Sequence, residues 1–299
     1  MQTIDWGYLL TPYQFSPVIV GVTVVVLALY IRGARAAAQQ QLPVGFGRHL
    51  AFFAGLTLCY AVLHTRFDYY AQYMFFMHRL QHLVLHHLGA FLIALSAPWS
   101  VLALGVPVGI RKRGLRPLLC NPMARGLYRV LQHPVVAPTL FVGLIYFWLT
   151  PSVHFDAMLN LRLYHLMNAS MLVDGILFWW LMLNPSVQHA AVRLGYGRRI
   201  LILVLITLPQ VVLGAYIALS KQELFDIYAL CGRAWPVPPE VDQQLGGLLT
   251  WIPAAMMSVL GILVVLRMLL HQEQAQSEAP NPTAAEVDDG DSGRIRSTP

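Results

Sequence analysis

The sequence predicts an all-α polytopic membrane protein, and three observations carry that prediction. The chain has 299 residues, of which 57% are apolar. Only 11% of its side chains are charged, less than half of the roughly 25% usual in soluble domains. The apolar residues fall in seven runs long enough to cross a hydrocarbon core, which takes about 20 residues of helix. Twenty basic and fourteen acidic side chains could not cover the surface of a soluble chain of this length. The runs are continuous, not alternating, which favours helices over barrel strands.

The runs lie near 16–32, 49–65, 74–97, 134–150, 160–183, 199–219 and 248–270. The first begins only at about Ser16, and residues 1–16 lack the basic start of a cleavable signal peptide. The third is followed by Ala97–Gly109, apolar but broken by Pro98 and Pro107, which reads as a kinked extension or re-entrant piece and not an eighth crossing. The fourth begins at His133-Pro134, and Trp251-Ile252-Pro253 lies near the start of the seventh. Residues 1–271 form the transmembrane domain. Residues 272–299, with two basic against six acidic side chains, read as a disordered, solvated cytoplasmic tail. No internal repeat is evident, so an inverted-repeat transporter has no positive support.

Fifteen of the twenty Lys and Arg residues fall on one side of this alternation, from Arg32 through the 111–129 cluster to Arg267 and the tail. The positive-inside rule then places the N-terminus outside and the C-terminus in the cytoplasm. Membrane topology explains the pI of about 9.4 better than nucleic-acid binding does. Cys59, Cys120 and Cys231 are too few and too scattered for a disulfide framework or a zinc ribbon, and no CxxC pair exists.

The third run contains His78-Arg79-Leu80-Gln81-His82-Leu83-Val84-Leu85-His86-His87. On an α-helix His78, His82 and His86 recur every four residues and project from nearly one face. Two imidazoles one turn apart can ligate one metal ion. A single histidine in such a helix reads as an interhelical hydrogen-bond partner; four within ten residues read as a metal or haem role. The predicted orientation puts His64, Asp68, His78, His82 and His165 at the outer ends of their spans. Met74, Met77, Met158, Met167 and Met171 share that half. Imidazole with thioether facing an oxidising compartment favours copper over magnesium or calcium, although each methionine alone is ordinary core filler.

Four further positions complete the candidates. His133 stands at the cytoplasmic start of the fourth span, either lining an inner cavity or opening the helix. Asp174, a carboxylate inside the fifth span, suits an outer partner that fixes a ligand imidazole. Asp242 and Gln243, in Asp242-Gln243-Gln244-Leu245-Gly246-Gly247, can bond backbone or ligand groups at the outer rim. Capping of the seventh span by Asp242 would explain that motif by itself. His49, His154, His189 and His271 lie at span ends or in loops and read as structural.

Together these pieces resemble the CtaG-type cytochrome c oxidase assembly factors, seven-span bacterial membrane proteins. The resemblance rests on Met77-His78-Arg79-Leu80-Gln81-His82 with Ala97-Pro98, on His133-Pro134, on His165 with Gly175-Ile176-Leu177-Phe178-Trp179-Trp180, and on the Asp242–Gly247 motif with Trp251. It implies a role in maturing haem–copper oxidase by placing copper into its catalytic subunit, in the bacterial inner membrane, alongside other copper chaperones. It carries to His78, His82, His133 and His165, and to Asp242 and Gln243 as a polar pair. Relatives often have another histidine one turn after His165; here Asn168 and Ala169 stand there, and His86-His87 would have to compensate.

The expectation is therefore a copper-handling assembly factor that is not itself an enzyme, with His78, His82, His165, His64, His133 and His86 as metal candidates. Met77, Asp174, Asp242 and Gln243 are the supporting set. A cytochrome-b-like haem protein, with His78 or His82 paired to His165, is the alternative. A membrane di-iron hydroxylase would need further histidine boxes that the chain lacks, and a plain transporter or scaffold would use the histidines as interhelical glue.

Overall fold

In a computed structural model, residues 11–184 and 194–277 are described; among them the regular elements are helices, with no strand. The main helices are α1 (Pro17–Gln39), α2 (Phe46–His64), α3 (Arg66–Tyr73), α4 (Phe75–Leu95), α5 (Trp99–Gly105), α6 (Pro122–Leu131), α7 (Val136–Trp148), α8 (Pro151–Leu159), α9 (Leu161–Leu183), α10 (Tyr196–Leu219), α11 (Ile227–Cys231) and α12 (Pro239–Ser277). Short helical turns over 108–120 join α5 to α6.

Several helix starts follow from the local sequence. Ser16 accepts from the Ile19 amide ahead of Pro17, Asn121 accepts from Met123 N ahead of Pro122, and Asn160 accepts from Arg162 N at the head of α9. Each supplies an acceptor for an amide that has no partner within its own helix, and proline at the first position gives up a donor that would be orphaned there.

Among the described residues five helices, α1, α2, α9, α10 and α12, are each long and apolar enough to cross a membrane. Two bent pairs, α4 with α5 at 72° and α6 with α7 at 70°, would raise that number to seven. The fourth apolar run forms a 13-residue helix, α7. It lies between Pro134 and Pro151 and is only about 20 Å long, so it needs α6 to complete a crossing. The broken stretch after the third run is the short helix α5, as the two prolines suggest. Ala97, at the bend, has a positive φ of 48°, a conformation costly for a residue with a Cβ.

Half of the apolar stretch of α9 is buried inside the bundle, against 11% for α1, so α9 is the axial helix and α1 a peripheral one. Large apolar side chains such as Val22, Val25, Leu208, Val212 and Leu263 are exposed, forming the kind of surface that lipid covers. α5 folds back onto α1 where Gly33 and Gly105 meet; a Cβ on Gly33 would run into the Val101 carbonyl, and one on Gly105 into that of Leu29. One core cluster gathers Phe91, Phe141, Phe178, Trp179, Met182 and Leu203. A second gathers Phe75, Tyr164, Met167, Met171, Phe225 and Tyr228. α12 continues through Ser277, beyond the expected start of the tail at 272; the rest of that acidic tail, 278–299, lies outside the described residues.

Candidate functional site

α4 carries the histidines, and its N-terminus is held from a distance. The Asp242 carboxylate accepts from Phe75 N at 3.1 Å and Phe76 N at 2.9 Å. Asp242 sits in the first turn of α12, so it caps the histidine helix and not the start of its own, as the sequence suggested. Arg233 anchors the same carboxylate at 3.4 Å and Glu223 at 2.7 Å. Gln243 takes the opposite task. Its Oε1 accepts from Leu224 N at 2.7 Å, and its Nε2 donates to the carbonyls of Ile217, Ser220 and Gln222. The pair thus closes the end of α10 and fixes the loop that carries α11.

The three histidines expected on one face are divided by the backbone. Residues Leu83–Leu88 form a π turn inside α4. Bonding i to i+5 inserts an extra residue, and one residue is roughly 100° around the axis. His78 and His82 precede the turn and stay together, ring centroids 4.3 Å apart. His86 lies within it and turns to α9, its Nε2 3.1 Å from Asp174 Oδ2, its ring stacked on Phe141 at 4.0 Å. His87 is also buried, 5.1 Å from the same ring. The partner anticipated for Asp174 is therefore His86.

His78 and His82 are fully enclosed, at 0% and 1% exposure. His78 has no side-chain hydrogen-bond partner; the backbone of Ala71 is the neighbour its ring can bond. The state of His82 follows from its neighbours: a guanidinium can only donate, so Nδ1 accepts from Arg79 at 3.4 Å and the Nε2 proton points to Asn168 Oδ1 at 3.1 Å. Arg79 is buried and also donates to Thr250 Oγ1 at 3.0 Å; among the described residues no carboxylate lies within ion-pair distance of it. A cavity of about 10 Å³ is bounded by Arg79, His82, His86, His87, Met171 and Thr250, among others.

A third imidazole completes the group, and the sequence did not mark it. His154, on α8, is buried with its ring 5.0 Å from that of His78. Its Nδ1 lies 3.1 Å from the Trp148 carbonyl and its Nε2 3.0 Å from the Tyr228 hydroxyl. A carbonyl only accepts, so Nδ1 carries the proton and Nε2 accepts from Tyr228. Burial pushes the Tyr228 phenol well above its ordinary pKa, and the nearby Asp242 charge pushes it the same way, so the hydroxyl remains a donor.

Burial also pushes the His154 imidazole down to about 3. The folded protein then refuses a proton that the unfolded chain accepts near the ordinary histidine value of about 6.5. Stability contributed by neutral His154 is present above that value and is lost as pH falls through the window toward 3. The expected slope from this one group is about 1.4 kcal/mol per pH unit. Thermal unfolding in detergent between pH 7.5 and 5 should show it, and His154→Gln should flatten the dependence by about one proton; an unaltered slope refutes the assignment.

The other candidates lie elsewhere. His165 is exposed on α9, while Tyr164 and Asn168 on the adjoining face point inward, so the convergence of His165 with His78 and His82 is not found. Tyr164 donates to Asp68 at 2.7 Å, and Gln81 to the same carboxylate oxygen at 2.9 Å. Burial raises the Asp68 pKa, while these bonds and one from Gln72 hold it down. His64 is buried with both ring nitrogens unpartnered, between Phe15 and Tyr60. His133 is exposed, its Nδ1 accepting from Val135 N at 3.3 Å, as a residue opening a helix would. Met77 is buried, and Met171 lines the cavity with the histidines. Among the described residues no three His, Cys, Asp or Glu side chains are placed to hold a metal ion. In the histidine trio, His82 Nδ1 and His154 Nε2 are moreover engaged by Arg79 and Tyr228.

A family model described as cytochrome c oxidase caa3 assembly factor matches residues 28–272. A protein described as uncharacterized from Mycobacterium leprae (strain TN) is 25% identical over 274 residues, covering 88% of this chain and 40% of the relative. Similarly described proteins from Mycobacterium bovis (strain ATCC BAA-935 / AF2122/97) and Mycobacterium tuberculosis (strain CDC 1551 / Oshkosh) are each 28% identical over 250 residues, covering 81% of this chain and 37% of the relative. The chain thus spans about two-fifths of the length of these relatives. No solved structure matches it.

Proposed function

Since the chain belongs to the cytochrome c oxidase caa3 assembly factor family, we propose that it serves assembly by carrying copper as cargo toward the oxidase's catalytic subunit, with no catalysis of its own. The observation that carries this reading is His78. A buried imidazole with no side-chain partner, its one hydrogen-bonding neighbour being the backbone of Ala71, keeps a ring nitrogen that costs free energy unless something else uses it, and two more imidazoles lie at 4.3 and 5.0 Å between ring centroids. Nitrogen donors of this kind suit copper. The buried guanidinium beside His82 works against a permanently bound cation, which suits a carrier that must release its cargo.

The same proposal includes seven spans, each bent pair crossing once, in the bacterial inner membrane. The N-terminus lies outside and the C-terminus in the cytoplasm, a reading supported by the fifteen basic residues on one side. The histidine trio then lies toward the outer face, where an oxidase subunit or another copper chaperone can meet it. Copper loading of the purified protein tests the reading. The wild type should retain copper through gel filtration, and His78→Ala/His82→Ala should lose it. No retained copper in the wild type, or equal retention in the variant, would sink it.

The haem alternative needs room for a porphyrin, and small-molecule sites run to roughly 300–1,000 Å³. The space beside the third-span histidines is about 10 Å³. A reduced-minus-oxidised optical spectrum of the same preparation tests that reading directly.

A further inference from the structure

We propose that the groove between α7 and α10 holds one anionic phospholipid, with an acyl chain along the groove and the phosphate at Arg198 and Arg129. The site is separate from the histidines and stands whether or not copper is carried. α7 turns Phe141 and Ile145 into the bundle and gives Val135, Val142 and Gly143 to the groove, while α10 gives Ile202 and Ile206. The space between them is about 600 Å³. From Val135 to Tyr146 it runs about 16 Å, the depth of one leaflet, since a hydrocarbon core is about 30 Å thick. Its far end is closed where the Tyr146 hydroxyl donates to the Pro209 carbonyl at 2.7 Å. Midway, nothing lies within 4 Å of a Cβ on Gly143, so the protein leaves the path of a chain open.

Charge at the other end selects the headgroup. Arg198 is exposed and stands one turn before Ile202, so it heads the same face of α10 that lines the groove. α6 leads into α7 at the same end, bent from it by 70°, and so runs mostly along the membrane surface. Met123, Leu127 and Val130 share one face of α6 and Arg125 and Arg129 the other, all of them exposed. Such a helix lies in the interface, its apolar face among acyl chains and its arginines at headgroup level. Neither Arg129 nor Arg198 makes an ion pair among the described residues. The sequence has no acidic residue between Asp68 and Asp156, nor between Asp174 and Glu223, so the elements around this mouth carry positive charge alone. Guanidinium groups match phosphate oxygens in charge and geometry.

The test uses the full chain, delipidated in detergent, and native mass spectrometry with added dioleoyl phosphatidylglycerol or dioleoyl phosphatidylcholine, which share tails and differ in headgroup charge. The wild type should retain one lipid and prefer phosphatidylglycerol. Arg198→Gln should cut that preference about fivefold, the effect of one basic side chain near a charged headgroup, and leave phosphatidylcholine binding as it was. Gly143→Trp fills the groove and should weaken both lipids alike by about fivefold or more, the lower end of what forcing bulk into an occupied space costs. Arg113→Gln, in the helical turns before α6, should alter neither, which separates a site from general attraction to the basic surface. Inorganic phosphate at millimolar concentration should not displace the lipid, because it has no tail for the groove. Equal retention of the two lipids by the wild type, an unaltered preference in Arg198→Gln, undiminished binding in Gly143→Trp, an equal loss in Arg113→Gln, or displacement by phosphate overturns the proposal.

Discussion

Replacing Asp242 by alanine is expected to destabilise the folded protein by about 3 kcal/mol. Two amides at the start of the histidine helix, Phe75 N and Phe76 N, lose their shared acceptor. Phe75 is itself 1% exposed, so water cannot readily replace the carboxylate. Removing one partner of a buried hydrogen bond costs more than the bond contributed, because the remaining donor stays desolvated. Asp242→Asn retains an acceptor oxygen and should recover part of the loss. Thermal unfolding in detergent measures both, and copper retention should weaken in the same order, because His78 lies on the turn next to the cap. Equal melting of wild type and Asp242→Ala would show that the cap is dispensable.

A comparable loss is expected from Gly175→Val, also about 3 kcal/mol or more. A Cβ at Gly175 would stand 2.5 Å from the His86 carbonyl oxygen and 2.9 Å from its Cα. Both are backbone atoms, so no flexible side chain can move aside. The valine would drive α9 away from the π turn and pull Asp174 off His86. Gly143→Val is the control: nothing lies within 4 Å of its Cβ position, and the change should be neutral or stabilising by a few tenths of a kcal/mol, as valine is the better helix former. Similar melting temperatures for the two variants would refute the close packing of α9 on the π turn.

Much of the architecture is legible in the sequence because bilayer burial imposes a simple rule, about 20 apolar residues per crossing. Most runs match helices to within a few residues, and the prolines at 98, 134 and 151 locate the breaks. The site is less legible, for three physical reasons. A π turn leaves no period in the sequence, so His86 seemed to share a face with His78 and His82. His154 looked like a loop residue because α8 is too short to span, though it packs against His78. His165 and Tyr164 are adjacent, and which of them points inward depends on the rotation of α9, for which an all-round apolar helix gives little signal. Tyr164, Asn168 and Met171, all buried, recur at helical spacing and mark the inward face in retrospect. The partner of Asp242 was out of reach because it lies 167 residues away.

That separation has a consequence in time. At about 5–20 residues per second, the carboxylate that completes the start of the histidine helix is synthesised roughly 8–33 seconds after the helix itself. Throughout that interval Phe75 and Phe76 lack their acceptor, and the turn carrying His78 has no fixed beginning. Order at the histidines is therefore a late product of translation, reached only when the last span has been made and has docked. A ribosome stalled before residue 242 would leave a chain with most of its spans and an unfinished centre.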